Sequence, residues 1–213
     1  MAGNQSFKKY IPIIFTAAEE YAAYLLGTQL LFIGRNIKTG YYSYFEARFL
    51  EKHFMHLTGI RPRSGTNAER FFELCASHKL KTSDIKALPT GQSALKADVI
   101  IPLMKLPFTA KMFGDYNSFG NRLYTEKVSG TTTGCMGFVF DNDDKVLVAN
   151  TILKEDIRNV TGDLNQIVAI YQKEIKDELY PTSPISCAKP LKGKLLTWPS
   201  EISSKITPLP SDK

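Results

Sequence analysis

The chain has 213 residues, of which 43% are hydrophobic and 23% charged, and this composition excludes wholesale disorder and allows one well-buried core. Its three scattered cysteines exclude a disulfide framework, so we expect a reducing, cytoplasmic location. The net charge is +6, and residues 35–111 alone hold 13 Lys and Arg against 6 Asp and Glu, which favours a polyanionic partner.

The first part of the chain is predicted to form a helix followed by two strands. Apolar residues between positions 10 and 34 fall on one helical face, and Glu19 and Glu20 lie near the middle of this stretch. We therefore expect a core helix here, and neither a membrane span nor a secretory signal. Strands are expected over 28–35 and 41–49. In the second strand the expected core face is Tyr41, Ser43, Phe45, Ala47 and Phe49, and the opposite face is Tyr42, Tyr44, Glu46 and Arg48.

Three helices are predicted in the middle of the chain. Thr66 and Glu69 have the spacing of a capping box, which predicts a helix from there to about His78. A short helix is expected near residues 82–83. A longer one is expected over 92–106, where Pro102 must kink or shorten it.

The second half of the chain is predicted to be mainly sheet. Strands are expected over 122–128, 134–140, 145–149 and 166–171, with a hairpin turn at 141–144 and a turn or helix start over 151–158. The segment 181–213 is rich in Pro, Ser and Lys, and we expect it to be loosely packed, with only residues 195–198 docking. The order of elements predicts one α+β domain over 1–180, with N-terminal helices packed on a small, mostly antiparallel sheet.

Motifs for cofactors and metals are weak or absent. There is no glycine-rich phosphate loop and no dinucleotide fingerprint, so no cofactor is expected. The run 141–144 resembles the start of a calcium loop, but the later ligand positions hold other residue types. His53, His56, Cys75 and His78 are possible zinc ligands. Cys75 lies on the apolar side of its helix, however, which favours a buried structural cysteine, and no metal site is predicted.

Two short segments carry the residue types that RNA cleavage without a metal requires. The reaction needs groups that exchange protons with the 2′-hydroxyl and the leaving oxygen, and cations for the charge that grows on the phosphate. His56 is suited to the proton transfer, and Thr58 to a bond with a phosphate oxygen or with His56. Lys154 and Arg158 would share a face if their segment were helical. By spacing alone, the same residues also fit an exposed structural histidine and a solvated charge cluster.

Several runs resemble a phage-associated branch of the barnase–EndoU–colicin–RelE superfamily of nuclease-like domains. They are 54–60 (FMHLTGI), 71–74 (FFEL) with 79–80 (KL), 136–138 (MGF) and 150–158 (NTILKEDIR). The resemblance extends over about residues 10–180. It implies an α+β fold and metal-independent ribonuclease activity in prophage, conjugative-element or phage-defence loci. On this resemblance, His56 and Thr58 match the first motif and Lys154 and Arg158 the second, which makes these four the candidate catalytic residues.

Further contacts with RNA are expected from Arg48, Arg61, Arg63 and Tyr44, since arginines contact phosphates and a tyrosine ring can stack on a base. The predicted partners are RNA, such as tRNA or ribosome-bound mRNA, and an antitoxin or immunity protein. Two alternatives remain open at this point. One is a catalytically inactive domain of a mobile element that binds nucleic acid or protein, and the other is a nucleotidyl or ADP-ribosyl transferase.

Overall fold

The computed structural model describes residues 8–86, 92–117, 124–143 and 145–208. The helices of this part are α1 (Ile11–Tyr24), α2 (Glu51–Thr58), α3 (Ala68–Ala76), α4 (Gln92–Met104), α5 (Leu106–Thr109) and α6 (Ser200–Ser203). The strands are β1 (Thr28–Asn36), β2 (Tyr42–Arg48), β3 (Arg61–Pro62), β4 (Ile85–Lys86), β5 (Met112–Tyr116), β6 (Lys127–Gly130), β7 (Cys135–Asp141), β8 (Val146–Leu153), β9 (Thr161–Glu174) and β10 (Ser186–Cys187). Short 3₁₀ helices cover Thr82–Asp84, Ile157–Asn159 and Lys189–Leu191. Within these ranges, no helix is long and apolar enough to cross a membrane.

The early helices begin and end at local signals in the sequence. α1 has Pro12 in its first turn, where the missing N–H costs no hydrogen bond. α2 ends at Gly59, whose φ of 67° is a left-handed conformation that glycine adopts readily. α3 is capped by Asn67, whose side chain accepts a hydrogen bond from the Arg70 backbone N–H at 2.8 Å. The cap predicted at Thr66 is therefore wrong by one residue.

Eight of the described strands form one sheet, and seven of them close into a ring. The strand order is β1-β2-β8-β7-β6-β5-β9, and β9 pairs again with β1, while β10 adds to β9. These pairings are antiparallel except for the short parallel pairing of β2 with β8. The predicted α+β class and antiparallel character are confirmed, and the sheet is larger than predicted.

The inner face of the ring is filled with aromatic side chains. The ring centroids of Phe45 on β2 and Phe113 on β5 are 5.0 Å apart, although these strands are not neighbours in the sheet. Such a contact requires strong curvature, and Gly34 on β1 leaves room for it, because a Cβ there would collide with the Phe113 ring. Residues of α1 to α4 belong to the same hydrophobic cluster, so the helices and the inner face share one core.

The C-terminal segment covers the outer face of β1 and β9. Ile202 of α6 is 2% exposed, and the Trp198 indole N–H donates a hydrogen bond to the Tyr171 hydroxyl at 2.9 Å. Leu195, which lies in the stretch expected to dock, is 70% exposed. The segment is therefore attached through β10 and through residues 198–206, on either side of the stretch that the composition indicates.

Several strands differ from their predictions. β5 has no predicted counterpart, and its Gly114 packs so tightly against β9 that a Cβ would collide with the Asp163 carbonyl oxygen. This contact needs glycine, the residue that weakens a strand pattern in the sequence. β8 continues to Leu153, where a turn or helix start is predicted, and β9 spans 14 residues, well beyond 166–171. Residues 122, 123 and 144 of the predicted strand and turn lie outside the described residues.

Candidate functional site

His56 lies in the last turn of α2, which packs against α3 and β8. The helix buries its other side in the core and leaves the His56 side chain exposed. Partial burial, and then the positive charge of Lys96, lower the pKa of the imidazole from its usual 6.5. The neutral imidazole is therefore the dominant form at neutral pH, and in this form it can accept a proton.

Lys96 extends from α4 to both α2 and β8. Its ammonium group donates hydrogen bonds to the backbone carbonyl of His56 at 2.8 Å and to the hydroxyl oxygen of Thr151 at 3.0 Å. Burial lowers the pKa of Lys96 to about 8, and both of its bonded partners are uncharged oxygens. Because carbonyls in the last turn of a helix lack partners within the helix, Lys96 also satisfies the end of α2.

Thr151 lies on β8 beside a local irregularity of the sheet. The pairing of β7 with β8 slips by one residue after Gly137, which leaves Asn150 as the extra residue of a β-bulge. A Cβ at Gly137 would lie 2.9 Å from the methyl carbon of Thr151 and 2.8 Å from that of Thr125, so glycine allows the two threonines to sit side by side. The Asn150 side-chain amide donates to the Tyr124 carbonyl at 2.9 Å, which ties the neighbouring segment to the bulge.

Thr58 faces the interior of the protein and is 1% exposed. Its hydroxyl donates to the Met55 carbonyl at 2.8 Å and accepts from the Ile60 N–H at 3.0 Å. Both bonds stabilise the end of α2. The proton that the predicted bond from Thr58 to a phosphate oxygen would need is already donated to Met55, and the residue instead fixes the helix that carries His56.

Lys154 and Arg158 do not share a helical face, because their segment is not an α-helix and the condition for that arrangement is not met. Lys154 follows the last residue of β8, and Arg158 belongs to a 3₁₀ helix. The Lys154 ammonium lies 2.7 Å from a carboxylate oxygen of Asp98, and the Arg158 guanidinium Nε donates to Asp156 at 3.0 Å. In the described part of the chain, no hydrogen bond or ion pair joins either cation to His56.

The four predicted RNA contacts divide between two places. Arg61 lies on β3 and Arg63 just after it, and both side chains are exposed shortly after the end of α2. Arg48 and Tyr44 lie on the outer face of β2, on the side expected from the sequence but away from His56 and the two other arginines. Arg48 donates to the Gln29 side chain at 3.2 Å, and Tyr44 packs with the C-terminal segment. Their position makes them part of the packing of that face.

The residues considered as zinc ligands take other positions. Cys75 is fully buried in the core, and Nδ1 of His53 accepts a backbone N–H at the start of α2 at 3.1 Å. Nε2 of His78 lies 2.8 Å from a Glu19 carboxylate oxygen, and its ring stacks on Phe15. Over the described ranges, no three His, Cys, Asp or Glu side chains are grouped as a metal site requires.

One cavity of about 440 Å³ lies away from these residues, between β9 and the C-terminal segment. Its walls include Tyr171, Cys187 and Trp198, and none of the predicted site residues. The arrangement with the most obvious chemistry is therefore the open surface at the meeting point of α2, α4 and β8.

Sequence reasoning missed Lys96 and Thr151. Thr151 lies inside the run 150–158, so the motif itself contained the signal for it. Lys96 is a single lysine in a largely apolar helix, and the groups it bonds lie 40 and 55 positions away in the sequence. Only the folded chain brings these groups together.

Comparison with known families agrees with this architecture. A family model described as phage-Barnase-EndoU-ColicinE5/D-RelE like nuclease 4 matches residues 13–189, a range that contains His56, Lys96 and Thr151. No curated protein and no solved structure matches the chain significantly. The matching family consists of nuclease domains, which supports a nuclease-type function. The chain belongs to the family of phage-associated barnase–EndoU–colicin E5/D–RelE-like nucleases of type 4.

Proposed function

We propose that this protein is a metal-independent endoribonuclease of toxin or phage-defence type. The observation that carries the proposal is the position of His56: its side chain is exposed, its backbone carbonyl accepts a hydrogen bond from Lys96, and partial burial and then the charge of Lys96 lower the pKa of its imidazole. The nuclease family supports phosphodiester cleavage in general. An imidazole, an ammonium and a hydroxyl are groups for proton exchange and charge stabilisation, which is what cleavage of RNA by its own 2′-hydroxyl needs.

The chemistry assigned to His56 is proton transfer. The neutral imidazole takes the proton of the 2′-hydroxyl, and the 2′-oxygen attacks the adjacent phosphorus. The bond from phosphorus to the 5′-oxygen then breaks, and that oxygen takes a proton from the imidazolium or from water. The products are a 2′,3′-cyclic phosphate and a 5′-hydroxyl end. DNA has no 2′-hydroxyl and is not cleaved by this route.

The test is cleavage of single-stranded RNA and of the matching DNA, with EDTA present throughout. We expect the wild-type protein to cut RNA only and to leave 2′,3′-cyclic phosphate ends. His56→Ala should lose activity by at least about a hundredfold, in line with the usual contribution of a general base. His78→Asn is the matched control, because His78 contacts Glu19 and Phe15 and asparagine tolerates its positive φ of 56°.

Three results would contradict the proposal. Cutting that requires a divalent metal, cutting of DNA at a similar rate, or undiminished cutting by a folded His56→Ala variant would each remove the assigned mechanism. Salt-dependent binding of RNA without any product would instead favour an inactive nucleic-acid-binding domain.

RNA, such as tRNA or ribosome-bound mRNA, is the proposed substrate, and an antitoxin or immunity protein encoded next to the toxin is the proposed partner. Induced expression should arrest growth, expression of His56→Ala should not, and co-expression of the neighbouring gene product should restore growth. Normal growth during strong expression of an active enzyme would contradict the toxin role.

A further inference from the structure

The cation of Lys96 differs from the other cations near the site in what it contacts. Lys154 is paired with Asp98, and Arg158 with Asp156. Within the described part of the chain, Lys96 bonds only the His56 carbonyl and the Thr151 hydroxyl, and no carboxylate. A partly buried ammonium without a counter-charge favours the binding of an anion, because the anion restores the interaction energy that burial removed.

Lys96 and Thr151 each have one hydrogen-bond donor that their mutual contact leaves unused. An ammonium group has three N–H donors, and the two bonds of Lys96 leave one for a ligand. Thr151 is 7% exposed and its oxygen accepts from Lys96, so its own proton is available for donation on the side where Lys96 lies. Gly137 on β7 leaves room for the Thr151 side chain to pack beside Thr125 at this point, next to the bulge at Asn150.

We propose that Lys96 and Thr151 form the phosphate-binding pair of the site, and that each donates one hydrogen bond to a non-bridging oxygen of the phosphate next to His56. This inference rests on the proposed function and names the groups that hold its substrate. It reassigns the phosphate contact from Lys154 and Arg158, which are paired with their own neighbours, to Lys96, which bonds the helix of His56 directly, and to Thr151, which bonds Lys96.

The experiment measures binding rather than cleavage, so that it does not depend on activity. The probe is a fluorescent single-stranded oligoribonucleotide with 2′-O-methyl groups, which cannot undergo attack by the 2′-oxygen. We expect Lys96→Met to weaken binding about tenfold and to reduce the salt dependence by about one phosphate contact. Thr151→Val should weaken binding about threefold, since it removes one neutral hydrogen bond. Lys105→Met is the matched control, because Lys105 lies at the other end of α4 and pairs with Glu20.

A pH series separates direct contact from a structural role. Among the described residues, His56 on α2 is the titratable group that interacts electrostatically with Lys96, while Asp98 on the same helix as Lys96 is paired with Lys154. Because burial lowers the pKa of Lys96 to about 8, wild-type affinity should fall between pH 7 and pH 9. In Lys96→Arg the charge persists over this range, and affinity should stay constant.

The outcomes separate this inference from the proposed function. One outcome is that the wild-type protein binds RNA but never cleaves it, and that Lys96→Met loses this binding. This result would support the phosphate pair and remove the nuclease assignment. Unchanged binding and pH dependence in a folded Lys96→Met variant overturn the pair, even if His56→Ala abolishes cleavage. Failure of the wild-type protein to bind the oligonucleotide would overturn the pair as well. So would a loss of binding in Lys154→Met that is not seen in Lys96→Met.

Discussion

Two partly buried lysines on different sides of the molecule have opposite electrostatic surroundings. Lys205, after α6, forms an ion pair with Glu46 at 2.7 Å. Burial alone would lower its pKa, but the hydrogen bond and the charge of Glu46 raise it overall. Lys96 bonds two uncharged oxygens, and burial lowers its pKa to about 8. Lys205 therefore completes a structural network, whereas Lys96 carries a charge that no carboxylate among the described residues pairs with.

The network around Glu46 explains why the C-terminal segment stays on the outer face. The Glu46 carboxylate accepts hydrogen bonds from the Gln29 amide at 3.1 Å and the Tyr180 hydroxyl at 3.0 Å, in addition to Lys205. Three separate parts of the chain thus meet at one carboxylate. Removal of a shared partner leaves the others without their acceptor, which costs more than the net value of one bond.

The largest expected effect is therefore the loss of stability in Glu46→Ala. We expect the free energy of unfolding to fall by about 3 kcal/mol, because a partly buried charge and two polar groups lose their acceptor. Urea unfolding measures this, with Glu178→Ala as the exposed control, which should change stability by less than about 0.5 kcal/mol. A loss below 1 kcal/mol in Glu46→Ala would show that the network is not what holds the segment.

The pH dependence of stability should distinguish the two lysines. Since the folded pKa of Lys96 is about 8 and its usual value is 10.5, the unfolded chain binds more protons between these pH values. Lys96 therefore destabilises the fold at neutral pH, and its contribution to stability improves as pH rises above 8, on the order of 1 kcal/mol between pH 8 and pH 9. Lys205 has the opposite effect, because its folded pKa is raised. It stabilises the fold, and this stabilisation is lost only as pH rises through the folded pKa of Lys205.

Unfolding curves of wild type, Lys96→Met and Lys205→Met from pH 7 to pH 10 test these signs. Lys96→Met should remove an increase of stability with pH. Lys205→Met should keep the wild-type slope over this range, because the pKa of Lys205 is raised above its usual 10.5 and its contribution is lost only at higher pH. An equal slope in wild type and Lys96→Met would mean that Lys96 is not perturbed in the folded state.

The sequence was sufficient for the fold class and the family, and insufficient for the groups that the fold brings around His56. Helix α1 and strands β1 and β2 follow from local periodicity, because their faces are set by their own residues. β5 escaped prediction because its glycine serves a contact with β9, far along the chain. The pairing of Lys96 with Thr151 depends on the bulge in β8 and the packing of α4, and neither leaves a periodic signal.

A smaller effect is expected from the two arginines that follow α2. Arg61 and Arg63 are exposed on the chain that leaves the helix of His56, so they can contact phosphates that flank the cleaved one. The double variant Arg61→Ala, Arg63→Ala should weaken RNA binding about fivefold, with a lower salt dependence and unchanged thermal stability. Equal affinity at every salt concentration would place the RNA path on another surface.

The smallest effect on RNA should come from Arg48, which lies on the outer face with the Lys205 network. The Arg48 guanidinium donates to Gln29, and Gln29 donates to Glu46. The role of Arg48 is therefore to orient Gln29 toward the Glu46 carboxylate, and not to bind a phosphate. We expect Arg48→Ala to change RNA affinity and cleavage less than twofold while it lowers the free energy of unfolding by about 1 kcal/mol. A loss of binding at full stability would mean that RNA extends over the outer face. The functional contrast between the two lysines would then fail, because both sides of the molecule would meet the substrate.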